Sequence, residues 1–296
     1  MTTRSGFVAL AGRPNVGKST LINAIVGQKV AIVSDKPQTT RRAIRGVATR
    51  DGREQLVLVD LPGVQKPLDS LTTRMQARVE RELGETDIAL FVLNAEQGVG
   101  PGDRWIAAAL ENAKCPVVIA VNKIDRLDRP RTVLVLQQIA ELGVGDDIFP
   151  ISARRGTGVD ALADHLFSLL PEGPLMYEED DVSDLAVQVH LAELIREQVL
   201  RRTRQEVPHA VEVVVDEIDD DRDDLTVVGA KIWVESDSQK GILVGRNGQM
   251  IRQIGTGARK ELERELGTEV HLDLVVRVRR AWRADEALLD RLGFDN

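Results

Sequence analysis

Cysteine is almost absent from this chain, with Cys115 the only one in 296 residues. One thiol excludes an internal disulfide framework and points to a cytosolic compartment. Its place at the head of the apolar run Cys115-Pro116-Val117-Val118-Ile119-Ala120 makes it the buried start of a strand rather than a nucleophile. Aromatic residues are scarce too, at 5 Phe, 3 Trp and 1 Tyr. That is too few for a protein that stacks bases on aromatic platforms, so RNA recognition would need another device. No apolar run approaches the roughly 20 residues that cross a bilayer, which excludes an integral membrane protein. Met1 to Gly6 leads straight into Phe7-Val8-Ala9-Leu10-Ala11 without the long apolar region of a signal peptide, so secretion is not expected. An excess of basic charge is also missing: 39 Lys plus Arg stand against 47 Asp plus Glu, a net charge of −8. As a total, that balance argues against a nucleic-acid partner.

What is present is an ordinary globular composition, 43% hydrophobic and 29% charged, with length for about two cores. From residue 6 to about 170, short apolar runs (Phe7 to Ala11, Leu56 to Val59, Ile88 to Leu93, Val117 to Val121, Ile148 to Ile151) alternate with helix-period segments. The helices are expected at Lys18 to Val26, Leu71 to Leu83, Gly102 to Asn112, Thr132 to Leu142 and Val159 to Leu170. Such alternation predicts an α/β domain, a mostly parallel sheet with helices on both faces. Pro171-Glu172-Gly173-Pro174 and the acidic Glu178 to Asp181 break the pattern. The expected division is a nucleotide-binding domain over 1–172, a linker over 173–184 and an α+β domain with a C-terminal tail over 185–296. The second domain reads as helix, two strands (Ala210 to Ile218, Leu225 to Val234), helix and strand (Val270 to Val278). The acidic Asp219 to Asp224 between its first strands reads as a solvated hairpin turn rather than a Ca²⁺ loop, because no Gly-x₅-Glu continuation follows.

Gly12-Arg13-Pro14-Asn15-Val16-Gly17-Lys18-Ser19-Thr20 satisfies Gly-x₄-Gly-Lys-[Ser/Thr] after an apolar strand and at the opening of a helix. Backbone N–H groups and the helix N-terminus there can cradle phosphates, with Lys18 facing the β and γ phosphates and Ser19 offering its hydroxyl to Mg²⁺. Asp60-Leu61-Pro62-Gly63 follows a strand, placing the Asp60 carboxylate at the sheet edge where it can hold Mg²⁺ directly or through water. Asn122-Lys123-Ile124-Asp125 names the base: Asp125 can accept from guanine N1–H and N2–H₂, and adenine would leave that acceptor unpaired. Ser152-Ala153-Arg154 fits the loop that backs the base. Pro37-Gln38-Thr39-Thr40-Arg41-Arg42 lies where a loop closes on the γ-phosphate, with Thr40 the expected Mg²⁺ ligand. The alternative there is a polar surface loop with a basic end. Lys18, Thr40 and Gly63 are the candidate catalytic residues.

Gly245-Arg246-Asn247-Gly248 opens a helix with Ile251, Ile254, Ala258 and Leu262 facing inward. A Gly-x-x-Gly in this setting is the loop of a K homology (KH) domain, where backbone approaches phosphates and bases lie in an aliphatic groove. The charge distribution supports it. Residues 178–237 carry a net −12, whereas 1–177 and 238–296 each carry +2. Lys240, Arg246, Arg252, Arg259 and Lys260 form a basic stripe beside the loop, so the candidate RNA contacts are Lys240, Gly245, Arg246, Asn247, Gly248, Arg252, Arg259 and Lys260.

With these motifs in this order, the chain resembles the Era family of bacterial GTPases over residues 6 to 294. The resemblance implies a Ras-like G domain joined to a type II KH domain, GTP and GDP as ligands with Mg²⁺, and binding near the 3′ end of 16S ribosomal RNA during maturation of the 30S subunit. It also implies a monomer in the cytoplasm, with peripheral membrane contact that no residue here explains. Leu61 replaces the family's usual Thr, and Arg154 its usual Leu or Lys. Val64 stands where Ras-like enzymes place a water-orienting Gln, so hydrolysis is expected to be slow. GTPases resembling this one hold K⁺ with a phosphate-loop Asn, which makes Asn15 the candidate; simple hydrogen bonding within the loop is the alternative. A kinase or ligase using ATP is the competing class. A double-G-domain ribosome GTPase or an iron-transport G protein is set aside, because there is one phosphate loop and no membrane span.

Overall fold

The computed structural model describes residues 2–294 except 37, 64–68, 112, 146, 205, 206 and 223, and except the side chain of residue 80. The chain divides into two compact units.

The first unit contains β1 (Arg4–Ala11), α1 (Lys18–Val26), β2 (Ile44–Arg50), β3 (Glu54–Asp60), α2 (Ser70–Glu85), β4 (Ile88–Asn94), α3 (Pro101–Leu110), β5 (Val117–Asn122), α4 (Arg129–Ala140), β6 (Asp147–Pro150) and α5 (Val159–Ser168). Its sheet runs β2-β3-β1-β4-β5-β6, parallel throughout except where β2 pairs antiparallel with β3. The near-continuous apolar runs of β4 and β5 follow from burial on both faces. On one face Val8, Leu10, Leu58, Leu90 and Val118 pack with Leu21, Ile22, Leu162 and Leu166 of α1 and α5. On the other, Phe91, Leu93, Ile119 and Val121 meet Ile106, Leu110 and Ile139 of α3 and α4. Asp69 and Thr72 close α2 with a reciprocal capping box, and Asp128 caps α4 through the Arg131 amide. The loops after β1, β3, β5 and β6 all leave the carboxyl edge of the sheet, the edge where open α/β folds bind ligands.

Strand β2 is a correction to the sequence reading, which passed from α1 to the strand at Leu56. Its signal was Asp51-Gly52: both residues adopt positive φ (53° and 60°), and the Arg53 amide donates to the Arg50 carbonyl at 3.0 Å. The segment 173–184, expected as a linker, lies along β2 and reaches Gln55 of β3. The Val47 amide donates to the Val182 carbonyl (2.8 Å), Ser183 Oγ donates to the Arg45 carbonyl (2.8 Å), and Gln55 Oε1 accepts from the Met176 and Tyr177 amides. The segment covers backbone that an open edge would leave unpaired.

The second unit comprises α6 (Val187–Arg202), the single turn α7 (Val207–Ala210), β7 (Glu212–Arg222), β8 (Leu225–Val234), α8 (Asp237–Val244), α9 (Gln249–Leu266), β9 (Glu269–Val278) and α10 (Glu286–Arg291). Its sheet runs β7-β8-β9, with β7 and β8 antiparallel and β9 parallel to β8. The strict alternation along β8 buries Thr226, Val228, Ala230, Ile232 and Val234, the last four sharing a core with Leu191, Leu194, Ile195 and Val199 of α6 and Ile254, Ala258 and Leu262 of α9. Trp282, wholly buried, locks the C-terminal end by donating its Nε1–H to the Ala210 carbonyl at 2.9 Å. The apolar Ile242-Leu243-Val244 before the Gly-x-x-Gly is the end of a helix, α8, capped by Ser236, a helix the sequence reading did not separate.

The division does not follow the chain linearly. Residues Ile32–Thr39 cluster with the second unit and Gly293–Asn296 with the first, where the Phe294 carbonyl accepts from Arg74 Nη1 at 2.6 Å and its ring lies 4.1 Å from the Arg42 guanidinium. Among the described residues no helix is long and apolar enough to cross a membrane, and the acidic run expected as a turn from Asp219 is, through Arg222, part of strand β7, which pairs Asp219 with Val227 and Arg222 with Leu225.

Candidate nucleotide site and nucleic-acid groove

In the first unit, residues 12–17 form the loop from β1 to α1. Gly17 caps α1 with φ 103°, and a Cβ there would lie 2.3 Å from Asn122 Nδ2, so the sharp entry into the helix requires glycine. Lys18 is buried, its Nζ 3.3 Å from the Gly12 carbonyl and 3.5 Å from that of Arg13. Burial lowers the Lys18 pKa, and the charge of Asp60 opposes that shift.

Three oxygen-bearing side chains converge beside it. Asp60 Oδ2 accepts from the Ser19 hydroxyl at 2.6 Å and from the Thr40 hydroxyl at 3.0 Å, and the two hydroxyls are 3.1 Å apart. Asp60 is fully buried, and its second oxygen, Oδ1, has no hydrogen-bond partner. Burial raises the Asp60 pKa against the opposing pull of Lys18, Ser19 and Thr40. A buried carboxylate oxygen without a donor, flanked by two hydroxyls, is a hard oxygen set that fits Mg²⁺, which takes one or two protein oxygens and completes its shell with water and phosphate. Leu61 points the other way, into the cluster of Ala9, Val59 and Val79, which explains why an apolar residue is tolerated beside Asp60. Val16 is likewise a core residue. Val64 lies outside the described residues.

The Asn122 to Asp125 segment, the candidate base-recognition motif, is tied to the candidate phosphate loop by bonds no linear reading shows. The Asn122 amide donates to the Val16 carbonyl (2.9 Å) and accepts from the Lys123 and Ala153 amides (2.8 and 3.0 Å), so its side chain ties three loops together. Lys123, at φ 67°, extends Nζ to the Asn15 carbonyl at 2.6 Å. Asp125 accepts from Ser152 Oγ at 2.7 Å, and that bond, more than the nearby Arg155 and Arg126 charges, lowers its pKa. Arg13 is held by Asp103 of α3, with Nε to Oδ1 at 2.9 Å and Nη2 to Oδ2 at 2.8 Å, and Asp103, wholly buried, also accepts from the Gly100 amide. Asp103 was not anticipated. Asn15 and Thr20 stay at the loop with exposed and half-buried side chains, and Pro14 and Gly63 abut one another.

In the second unit, Gly245 (φ 70°) and Gly248 (φ 73°) bracket a turn in which Asn247 also has positive φ, and a Cβ on Gly245 would stand 2.7 Å from that of Met250. The turn opens α9. Between α9 and β9 lies a groove of about 600 Å³ lined by Gly248, Ile251, Arg252, Gly255, Thr256, Arg259 and the run Val270 to Leu274. Arg252 and Arg259 are therefore groove residues, while Lys240, Gly245, Arg246, Asn247 and Lys260 lie outside its lining. The β9 wall, with exposed His271 and Asp273, was missed because the motif marks only the helical side.

A family profile described as 50S ribosome-binding GTPase matches residues 7–123, and a KH-domain profile matches 206–283. GTPase Era of Lactobacillus helveticus is 45% identical over 292 residues, covering 99% of this chain and 96% of its own length. The chain belongs to the Era GTPase family. Era of Mycobacterium avium is 46% identical over 297 residues, covering 98% of this chain and 99% of its own. The crystal structure of Era in complex with MgGDPNP and nucleotides 1506–1542 of 16S ribosomal RNA is similar at TM-score 0.93 and 35% identity, over 99% of this chain and 100% of that one. An Aquifex aeolicus Era variant bound to GDP·AlF₄⁻ is similar at TM-score 0.93 and 34% identity, with the same coverage. The Ras-like G domain followed by a KH domain in this chain is thus the arrangement of its family.

Proposed function

We propose that this Era-family chain hydrolyses GTP, binds 16S ribosomal RNA near its 3′ end, and acts as a GTP-regulated factor in maturation of the 30S subunit. The observation that carries the reading is the convergence of Ser19, Thr40 and buried Asp60 beside Lys18 in one unit, with a basic Gly-x-x-Gly groove in the other. In hydrolysis the oxygen of water attacks the γ-phosphorus and the bond to the β–γ bridging oxygen breaks, giving GDP, phosphate and a proton. Backbone N–H groups of residues 12–18 hold the triphosphate by position and field rather than by covalent chemistry. Lys18 places a desolvated cation against the β and γ oxygens. Asp125, kept charged by Ser152, selects guanine, and Asn122 and Lys123 hold the phosphate loop and the base loop in register. Ser19, Thr40 and Asp60 would hold Mg²⁺, which when bound neutralises phosphate charge. With Val64 in place of a glutamine, the chain has no side chain there to orient water, so turnover is slow. Asn15, exposed at the loop, is the proposed K⁺ ligand.

Phosphate release from GTP, measured with and without Mg²⁺ and in K⁺ or Na⁺ buffer, tests this reading. Mg²⁺-dependent release faster in K⁺ is expected. Equal rates in the two salts would remove the Asn15 assignment, and no Mg²⁺ dependence would remove the cation site.

A further inference from the structure

We propose that Asp103, on the first turn of α3, is a positioning residue for GTP hydrolysis that acts through Arg13 on the carbonyls seating the Lys18 ammonium. The inference rests on the GTPase reading above, and every residue it uses belongs to the first unit. The pattern Gly-x₄-Gly-Lys leaves the side chain after its first glycine open. Here Arg13 fills that place, and its side chain reaches the segment between β4 and α3. Arg13 Nε donates to Asp103 Oδ1 at 2.9 Å, and Nη2 lies 2.8 Å from Oδ2 and 3.4 Å from the Gly98 carbonyl. Glycines make room for this side chain: a Cβ on Gly102 would lie 2.8 Å from Arg13 Cδ, and one on Gly100 would lie 3.3 Å from Nη1. The backbone of Arg13 belongs to the site. Its carbonyl and that of Gly12 lie 3.5 and 3.3 Å from Lys18 Nζ. The Arg13 carbonyl and the Pro14 nitrogen share one planar peptide, and a Cβ on Gly63 would lie 2.9 Å from that nitrogen. One peptide group therefore meets Lys18 through its oxygen and Gly63 through its nitrogen, and Asp103 fixes the residue that carries it.

A cap for α3 alone would not need this arrangement. Asp103 Oδ2 accepts from the Gly100 amide at 2.8 Å, which serves the helix start with one oxygen. The Asp103 side chain is nevertheless wholly buried, and both of its oxygens meet the Arg13 fork. A buried ion pair is commonly replaceable by apolar residues of similar volume without loss of stability. What such residues could not supply is a two-point hold that keeps the guanidinium, and with it the start of the loop, in one orientation. The rest of the loop is held separately, by Lys123 Nζ at the Asn15 carbonyl and by Asn122 Nδ2 at the Val16 carbonyl. Those bonds come from the candidate base motif, whereas the Asp103 bonds act where Lys18 is seated. The pair is thus placed to set kcat, through the cation that faces the β and γ phosphates, without touching base selection.

The test uses the full chain in three forms: Asp103→Asn, which keeps an oxygen for the Gly100 amide but loses the charge; Arg13→Lys, which keeps the charge but loses the fork; and the two together. Mg²⁺-dependent phosphate release at saturating GTP, the preference for GTP over xanthosine triphosphate, and Tm are read for each. Hydrogen bonds between charged groups imply that kcat falls by about 10-fold or more in either single variant, while base preference stays within about 2-fold of the parent. Because both side chains act through one contact, kcat of the double variant should lie within about 2-fold of that of the more impaired single variant. A kcat at the parent's level in the folded variants, whatever their Tm, or losses that multiply in the double variant, would overturn the inference alone. If Asp103→Asn fails to fold, Arg13→Lys carries the same expectation for kcat and base preference. A parent chain that releases no phosphate from GTP with Mg²⁺ would overturn the GTPase reading, and this inference with it.

Discussion

Replacing Asp125 with Asn isolates base recognition from folding. The two side chains have the same size, and an Asn carbonyl oxygen can still accept the Ser152 hydroxyl that now lies 2.7 Å from Asp125 Oδ1. The nearest cation, Arg155 Nε at 3.7 Å, is two-thirds exposed and contributes little. What the change removes, on the proposed assignment, is a charged acceptor for guanine N1–H and N2–H₂. Hydrogen bonds to charged groups contribute about 1.5–3 kcal/mol each, so losing two weakens GTP binding by roughly 10²- to 10⁴-fold. Xanthine carries a carbonyl where guanine carries its amino group, and the Asn amide can donate to it, so xanthosine triphosphate should bind Asp125→Asn better than it binds the parent. Because Ser152 depresses the Asp125 pKa, the charge is present above the ordinary carboxylate range and is lost only when pH falls through the lowered value. The parent's preference for GTP over ATP should therefore hold constant from pH 8 to about pH 5. Competition against a fluorescent guanine nucleotide, with Tm recorded alongside, measures all of this. A folded Asp125→Asn protein that still prefers GTP over the xanthine nucleotide would refute the assignment.

Other substitutions separate local structure from ligand binding. Gly17→Ala should lower Tm and abolish nucleotide binding, because φ 103° and the Asn122 contact at 2.3 Å leave no room for a methyl group; the strained backbone alone costs about 1–3 kcal/mol. Leu61→Ala should destabilise the first unit by about 2–5 kcal/mol in urea unfolding while leaving the GTP affinity of folded protein unchanged, since that side chain packs on Ala9, Val59 and Val79. Gly245→Asp and Gly248→Asp should weaken RNA binding by at least about 10-fold at low salt, with GTP binding intact, as each adds a like charge where backbone meets phosphate; wild-type RNA affinity in either variant would remove the groove assignment.

The loops proposed to face the nucleotide could be picked out in the sequence because phosphate and guanine impose local demands: a Gly at the strand-to-helix turn, a Lys beside it, and a carboxylate at the end of one strand and just past another. The wiring between them was not. Arg13 with Asp103, Asn122 with Val16 and Lys123 with Asn15 join residues 90 to 108 positions apart, and nothing in linear spacing announces such pairs. Strand β2 escaped because Ile44 to Arg50 is half polar, while its Asp51-Gly52 turn was a hairpin signal left unread. Helix α8 escaped because the β-branched Ile242 and Val244 dominate its C-terminal end, although Ser236 and Asp237 mark its start. The total charge of −8 misled on its own; the acid sits in 178–237, and the groove carries Arg252 and Arg259. The membership of residues 32–39 in the second unit follows from tertiary contacts of α6, whose buried Glu193, Arg196 and Glu197 look in sequence like an ordinary solvated helix face.

The central claim, that one chain couples a guanine-nucleotide site to an RNA groove, is tested most directly by its affinity for an RNA carrying the 3′ end of 16S ribosomal RNA. That affinity should be measured at one salt concentration with a GTP analogue and with GDP. The account predicts tighter binding in the GTP-analogue state, with the reciprocal gain in analogue affinity when RNA is present. Equal RNA affinity in the two nucleotide states would contradict it.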